Sequence, residues 1–281
     1  MLLIAGGAGG EGVGLDAGPA APTVPSIVVD TMPRARACLA VGTAAVYARF
    51  PVPWGQRMKT DTTGRVLYLT PLSHFSRKVR IVLRELGLAC DESYVPNLLS
   101  ADPADFGGNP ILRVPVLRDG ASWVVESDQI VRYLLETYDH GSDRFAFFSM
   151  TTAQRNALSI LSAVMGADVE LILSKRSGLA DQASWLYFAR YRDVIEHGLA
   201  WIEGNAAMIW PAVEFSYLDI ALLCMWDHLR HGKMLNEAVS YPWIDARTLR
   251  HAARASVAAT APEQMQSLQW ELYPSQRPTR E

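Results

Sequence analysis

The sequence predicts a small α/β domain followed by an all-helical domain. The first part of this prediction rests on short apolar segments of strand length, which alternate with helical patterns between residues 64 and 139. The second part rests on long stretches with apolar residues at helical spacing, without a strand pattern, between residues 150 and 270. Two successive domains also agree with a length of 281 residues.

Residues 1–63 have neither pattern and are rich in Gly, Ala and Pro. We interpret them as a disordered extension, or as upstream sequence included because the start was assigned too early, with Met58 as the alternative start. An acid-free, arginine-bearing stretch between Asp30 and Asp61 is also typical of an organelle transit peptide.

The α/β domain begins with a predicted strand at residues 66–69, which the turn signal Thr70-Pro71 ends. Apolar residues at i, i+3, i+4 and i+7 then predict a helix over residues 79–86, with Gly87 placed to stop it. Residues 93–95 read as a second strand, parallel to the first across that helix.

After a polar connection, two more strands are predicted at residues 116–117 and 123–125, joined by the turn Asp119-Gly120. A helix marked by Ile130, Leu134 and Tyr138 closes the unit. The resulting order of βαβ, connection and ββα is that of a thioredoxin-like domain.

In the helical domain, residues 153–174 and 185–203 carry apolar residues at helical spacing. Ser216 and Asp219 have the spacing of a capping box, with Asp in place of Glu, and predict the start of another helix. Residues 221–226 are apolar nearly all round, so we expect this helix to be the buried centre of the domain.

Composition excludes several classes of function. The net charge is -3, from 26 Lys and Arg against 29 Asp and Glu, so nucleic acid and anionic membranes are not expected partners. We expect no segment that crosses a bilayer, because no apolar stretch approaches the roughly 20 residues that this needs. Three scattered cysteines without a C-x-x-C pair predict neither a disulfide framework nor a zinc site, and favour a reducing, cytoplasmic location.

Two short motifs predict a ligand site. A proline before a strand belongs at the strand's beginning, and a cis bond between Val114 and Pro115 would turn the main-chain groups of Val114 outward, toward a peptide-like ligand. Glu126 and Ser127 follow the next strand and open a helix, whose unpaired N–H groups and positive dipole end favour an anion. Together they predict a site for a small, extended, anionic peptide, a description that glutathione fits.

Residues 65–265 resemble the glutathione transferase superfamily, in particular its bacterial Ser- or Cys-type members. Four motifs in the right order carry the resemblance: the turn and helix at residues 69–80, Asn-Pro and Val-Pro-Val-Leu at residues 109–117, Glu-Ser-x-x-Ile at residues 126–130, and Ser-x-x-Asp at residues 216–219. The resemblance implies a thioredoxin-like domain followed by an all-helical one.

The resemblance also implies that Ser73 contacts the glutathione sulfur as the catalytic residue. A hydroxyl at a helix start can donate to a thiolate, and the helix dipole adds to this effect. Ser76 is a nearby competitor, which we expect to be the helix cap instead. His74 stands where the family usually has proline, and we interpret it as a solvated turn residue, with tuning of the thiolate or the substrate as the alternative.

For glutathione itself, the resemblance implies main-chain pairing with Val114, whose geometry Pro115 holds. Ser127 and the helix amides would take the γ-glutamyl carboxylate, and Glu126 the ammonium group. Arg113 lies where members often have a base near the glycine carboxylate, although an exposed arginine without this role explains it equally well.

We therefore expect a glutathione transferase, with a role in detoxification, that conjugates glutathione to a small apolar electrophile without a metal. This second substrate would lie between the domains, near helices that include Met165 and Trp185. The alternatives are a non-catalytic glutathione-binding or scaffold protein of the same fold, and a glutathione-dependent reductase, isomerase or dehalogenase. By analogy with the family, we expect a homodimer.

Overall fold

A computed structural model describes residues 64–276, except 180 and 183. The predicted extension at residues 1–63 lies outside the described residues. The strands and helices run in this order: β1 Arg65–Leu69, α1 His74–Glu85, β2 Asp91–Tyr94, β3 Val116–Asp119, β4 Ser122–Val125, α2 Ser127–Tyr138, α3 Thr152–Arg176, α4 Leu186–Ile209, α5 Tyr217–His231, α6 Pro242–Leu249, α7 Ala255–Ala258 and α8 Pro262–Leu272. A thioredoxin-like sheet with helices is thus followed by an all-helical part, as predicted; the predicted domain limits, 64–139 and 150–270, stay predictions.

The four strands form one mixed sheet in the order β2-β1-β3-β4. β1 is parallel to β2, as expected for strands joined by a crossover helix, whereas β3 is antiparallel to both β1 and β4. In this register Tyr68 pairs with Val116, which in turn pairs with Val125. The carboxyl ends of β1 and β4 and the beginning of β3 therefore lie at one edge of the sheet.

Two helices pack against the sheet and against each other. Leu67 and Leu69 of β1 are fully buried and share a hydrophobic cluster with Val79 of α1 and Ile130 of α2. The same cluster includes Ile220 of α5, so the core of the sheet continues into the helical part. Each fully buried aliphatic side chain contributes about 1.5–3 kcal/mol, which makes this shared core a main source of stability.

In the helical part, α5 is the buried centre that the sequence predicted. Residues 217–226 are all buried. The capping box is present at its start: the Ser216 hydroxyl accepts from the Asp219 N–H at 3.2 Å, and the Asp219 carboxylate accepts from the Ser216 N–H at 2.8 Å. Arg247 of α6 donates two further hydrogen bonds to this carboxylate.

The helix α3 contradicts one expectation from the sequence. Among the described helices, α3 is long and apolar enough to cross a membrane by length and composition alone, although we expected no such segment. In the fold it packs against α4 and α5, and its buried residues belong to the core of the helical part. Gly198 of α4 allows close contact, because a Cβ atom there would lie 2.4 Å from Val164 Cγ2.

Charged side chains join α1 to the helical part. Arg77 Nη1 donates to Asp227 Oδ2 of α5 at 2.8 Å, and only 4% of the Arg77 side chain is exposed. At the other end of α1, Glu85 accepts two hydrogen bonds from Arg254, the residue that precedes α7, at 2.9 and 3.2 Å. The helix that begins after Ser73 is thus anchored at both ends.

Candidate functional site

The residues predicted to bind glutathione lie at the sheet edge where β1 and β4 end and β3 begins. Ser73 follows β1 by four residues, Val114 precedes β3 by two, and Glu126 directly follows β4. Since Tyr68, Val116 and Val125 are paired across these strands, the topology brings the three segments to the same edge.

Ser73, rather than Ser76, caps α1, which corrects our expectation for Ser76. The Ser73 backbone is extended, and its Oγ accepts from the Ser76 N–H at 3.2 Å. Ser76 lies inside the helix, and its hydroxyl donates to the same oxygen at 3.0 Å. Because Ser73 Oγ accepts in both contacts, its own hydrogen remains available for a ligand at the helix start. The first turn of α1 carries no acidic residue that would oppose a thiolate.

The loop before β3 is held by a buried asparagine. The Asn109 side chain donates to the carbonyl oxygen of Arg113 at 2.8 Å and accepts from the Ile111 N–H at 3.2 Å. The Val114-Pro115 bond is cis, as the sequence predicted. Within residues 64–276 as described, no hydrogen bond involves the main-chain N–H or C=O of Val114, so both groups are available to a peptide-like ligand.

At the other side of this edge, Glu126 and Ser127 form the start of α2. Glu126 is exposed, has a φ of 73°, and does not cap the helix with its side chain. Ser127 is 1% exposed, and its hydroxyl makes no hydrogen bond of normal geometry among the described residues, although it lies close enough to the Asp128 carboxylate to lower the pKa of that group. Such an orphaned hydroxyl beside unpaired helix amides is suited to a carboxylate.

A buried charge network supports this helix start, and sequence reasoning missed it. Lys78 of α1 is fully buried and lies 2.5 Å from the Asp128 carboxylate of α2. Tyr217 of α5 donates to the same carboxylate at 2.6 Å. Burial alone would raise the pKa of Asp128, but the Lys78 charge, the hydrogen bonds from Lys78 and Tyr217, and the adjacent Ser127 hydroxyl lower it. The only signal in the sequence was a lysine directly before the apolar positions of a helix that also carries three arginines.

The side chains of two predicted site residues point away from the proposed glutathione position. Arg113 is exposed and its Nη2 is 3.7 Å from Glu170 Oε1 of α3, so its role at a carboxylate stays a prediction. His74 is not a solvated turn residue, because it is 3% exposed and its Nε2 lies 3.1 Å from the Met165 carbonyl oxygen. As the first residue of α1, it points into the contact between α1 and α3, and that contact displaces it from solvent.

The side chains suggested for the second substrate differ in accessibility. Met165 is 1% exposed and belongs to the core of the helical part, so it cannot line an open pocket as placed. Trp185 precedes α4 and is 56% exposed, which leaves it free to contact a ligand or solvent.

Known proteins resemble this chain in both sequence and fold. The family model described as "Glutathione S-transferase, N-terminal domain" matches residues 67–142. A glutathione S-transferase from Methylobacterium radiotolerans, solved in complex with glutathione sulfonate, is 25% identical, with a TM-score of 0.59 and coverage of 70% of this chain and 94% of its own.

A glutathione S-transferase from Methylobacillus flagellatus, solved with glutathione bound, is 26% identical, with a TM-score of 0.56 and coverage of 70% and 99%. A maleylacetoacetate isomerase from Anaeromyxobacter dehalogenans, with glutathione in its active site, shares the fold at 21% identity, a TM-score of 0.52 and coverage of 71% and 95%. No curated protein matches the chain significantly.

Proposed function

Because the chain belongs to the glutathione transferase superfamily, we propose that it binds glutathione and transfers its sulfur to a small apolar electrophile. The observation that carries this proposal is the buried, unpartnered hydroxyl of Ser127 at the start of α2. A buried hydroxyl without a partner costs free energy, and a ligand carboxylate would recover it.

The bound tripeptide would extend along the sheet edge. Its γ-glutamyl carboxylate would accept from the Ser127 hydroxyl and the first amides of α2, and Glu126 would accept from its ammonium group. Its cysteinyl peptide unit would pair with the main chain of Val114, which makes no other hydrogen bond among the described residues. These contacts would direct the sulfur toward the start of α1.

Ser73 would then stabilise the thiolate. Its free hydroxyl hydrogen can donate to sulfur, and the positive end of the α1 dipole adds to the stabilisation. A free thiol has a pKa near 8.5, and each unit by which the pKa falls reflects about 1.4 kcal/mol of stabilisation of the anion. A lower thiol pKa raises the fraction of nucleophile at neutral pH.

In the transfer step, a lone pair of the sulfur forms a bond to the electrophilic carbon. The leaving group departs with the electron pair of its own bond, and the proton lost by the thiol goes to solvent. Orientation of the two reactants supplies much of the acceleration. Isomerisation, reduction and dehalogenation would begin from the same thiolate, and the fold alone does not separate them.

A glutathione-binding protein without turnover is the second candidate. It is favoured by one observation: the Ser73 oxygen already accepts two hydrogen bonds from Ser76 and caps α1, which is a sufficient structural role. In that case the tripeptide would bind at Ser127 and Val114, but its thiol would keep an ordinary pKa.

The two candidates are separated by a comparison of the wild-type chain with Ser73→Ala. Glutathione affinity is measured by calorimetry, and turnover with chlorodinitrobenzene is measured across pH. We expect unchanged affinity at low pH, where the bound thiol is protonated, weaker binding as the pH rises, a kcat/KM lower by about 10- to 100-fold, and a thiol pKa shifted toward 8.5. Ser159→Ala, at an exposed serine of α3, is the matched control and should resemble the wild type.

Three outcomes decide the matter. Absence of binding heat at millimolar glutathione contradicts the whole proposal. Binding without turnover supports the scaffold candidate. Turnover that Ser73→Ala leaves unchanged contradicts the role of Ser73 alone.

By analogy with the superfamily, we also propose a homodimer in the cytoplasm, and light scattering that gives a monomer mass would contradict the dimer.

A further inference from the structure

Three metal-ligating side chains from distant parts of the sequence meet where α1, α3 and α5 pack together. They are His74 at the start of α1, Asp168 of α3 and His228 of α5, and one ligand atom from each lies within 4.8 Å of the others. His74 and Asp168 are 3% and 1% exposed, and the two imidazole rings are 4.3 Å apart between centroids. Two imidazoles and a carboxylate rarely meet in a core without a partner.

The hydrogen bonds assign the proton positions in this cluster. His74 Nε2 lies 3.1 Å from the Met165 carbonyl oxygen, which can only accept, so Nε2 carries the hydrogen and Nδ1 presents a lone pair. His228 Nδ1 lies 2.6 Å from Asp168 Oδ2 and donates to it. Both His74 Nδ1 and Asp168 Oδ1 are buried without a partner among the described residues.

The cluster therefore presents unsatisfied acceptors without a matching donor in the described part of the chain. The Lys78 charge is already committed to Asp128. A metal cation would satisfy these acceptors, because it binds the lone pairs of nitrogen and oxygen atoms.

We propose that His74, Asp168 and His228 bind a divalent transition metal ion of the zinc type. Two imidazole nitrogens and one carboxylate oxygen are a common set of ligands for such ions. On binding, the His228 hydrogen would move from Nδ1 to Nε2, which leaves the Nδ1 lone pair for the ion, while His74 would contribute Nδ1. A metal was not expected from the sequence, because no local spacing joins residues 74, 168 and 228.

The contact between His74 and Met165 supports this assignment independently. Histidines that bind metals almost always donate their second ring N–H to a carbonyl or carboxylate oxygen, which fixes the ring's orientation. His74 has this arrangement already. Since His74 directly follows Ser73, an ion at this cluster would tie the start of α1 to α3 and α5 and would fix the turn that carries Ser73.

The test measures metal binding by the tag-free, full-length chain after treatment with a chelator and without glutathione, so its result is independent of the proposed transfer reaction. Co²⁺ is titrated by visible absorption, which reports the ligand set, and the Zn²⁺ content is measured by elemental analysis after equilibrium dialysis. We expect one ion per chain for the wild type.

Asp168→Asn and His228→Gln should each weaken Co²⁺ binding by about 100-fold or more, since loss even of a supporting contact costs 10- to 100-fold. Circular dichroism checks folding, and the second variant decides the matter if the first does not fold. His231→Gln is the control, because His231 lies on the same helix but contacts Gln266 instead of the cluster. Absence of metal uptake by the wild type, or equal uptake by both cluster variants, would overturn the proposal.

Discussion

Replacement of Ser127 by alanine separates a ligand-binding role from a structural one. The hydroxyl is buried at the start of α2 and has no hydrogen-bond partner among the described residues. Its removal from the free protein breaks no hydrogen bond of normal geometry and takes away only a weaker interaction with the Asp128 carboxylate, so we expect the free energy of unfolding to change by less than about 1 kcal/mol. A serine that served only the fold would give the opposite result.

The effect on the complex should be large. A hydrogen bond to a charged group contributes about 1.5–3 kcal/mol, and a tenfold change in Kd corresponds to 1.4 kcal/mol. We therefore expect Ser127→Ala to raise the Kd for glutathione by about 10- to 150-fold. Calorimetry gives the affinity, and urea denaturation gives the stability of the same preparation.

The control for this experiment is Ser122→Ala, at the end of β4 that lies away from the proposed site. It should leave the affinity unchanged. The reasoning fails if Ser127→Ala lowers stability while glutathione affinity stays the same, because the hydroxyl would then serve the fold and not the ligand.

Two further predictions concern stability. Asp128→Asn leaves the buried Lys78 charge without its carboxylate and should lower the free energy of unfolding by about 3 kcal/mol in urea denaturation. This is the lower end of the range for broken buried ion pairs, because Asp128 keeps some contact with solvent. The additional change Lys78→Met should recover most of the loss, whereas equal stability of wild type and single variant would contradict this reasoning. Burial lowers the pKa of His251 below its ordinary 6.5, so the unfolded chain binds its proton first as the pH falls. Stability should therefore fall below about pH 6.5, and His251→Gln should reduce that slope in urea midpoints measured from pH 8 to pH 5; an unchanged slope would contradict it.

The elements that the sequence predicted correctly are those specified by neighbours in the chain. The strand β1, the crossover helix and the hairpin of β3 and β4 were predictable because the spacing of their apolar residues and the turn residues beside them are local features of the sequence. The start of α5 was predictable because Ser216 and Asp219 satisfy each other's amides locally.

The predictions that failed depend on distant contacts. Ser73 and Ser76 are equally able to cap a helix, and only the extended backbone of Ser73 decides between them. His74 was predicted to be exposed because it follows a turn, but its partner Met165 lies 91 positions away. Lys78 is buried only because Asp128 and Tyr217 come from two other helices. Such pairs leave no periodic pattern in a single sequence.

The ion pairs of Arg77 with Asp227 and of Arg254 with Glu85 constrain how this protein can diverge. A recombinant that took the sheet and α1 from one homologue and the later helices from another would leave these partly buried charges facing foreign side chains. Changes in the proposed site are therefore more accessible through single exchanges of residues than through the shuffling of whole segments.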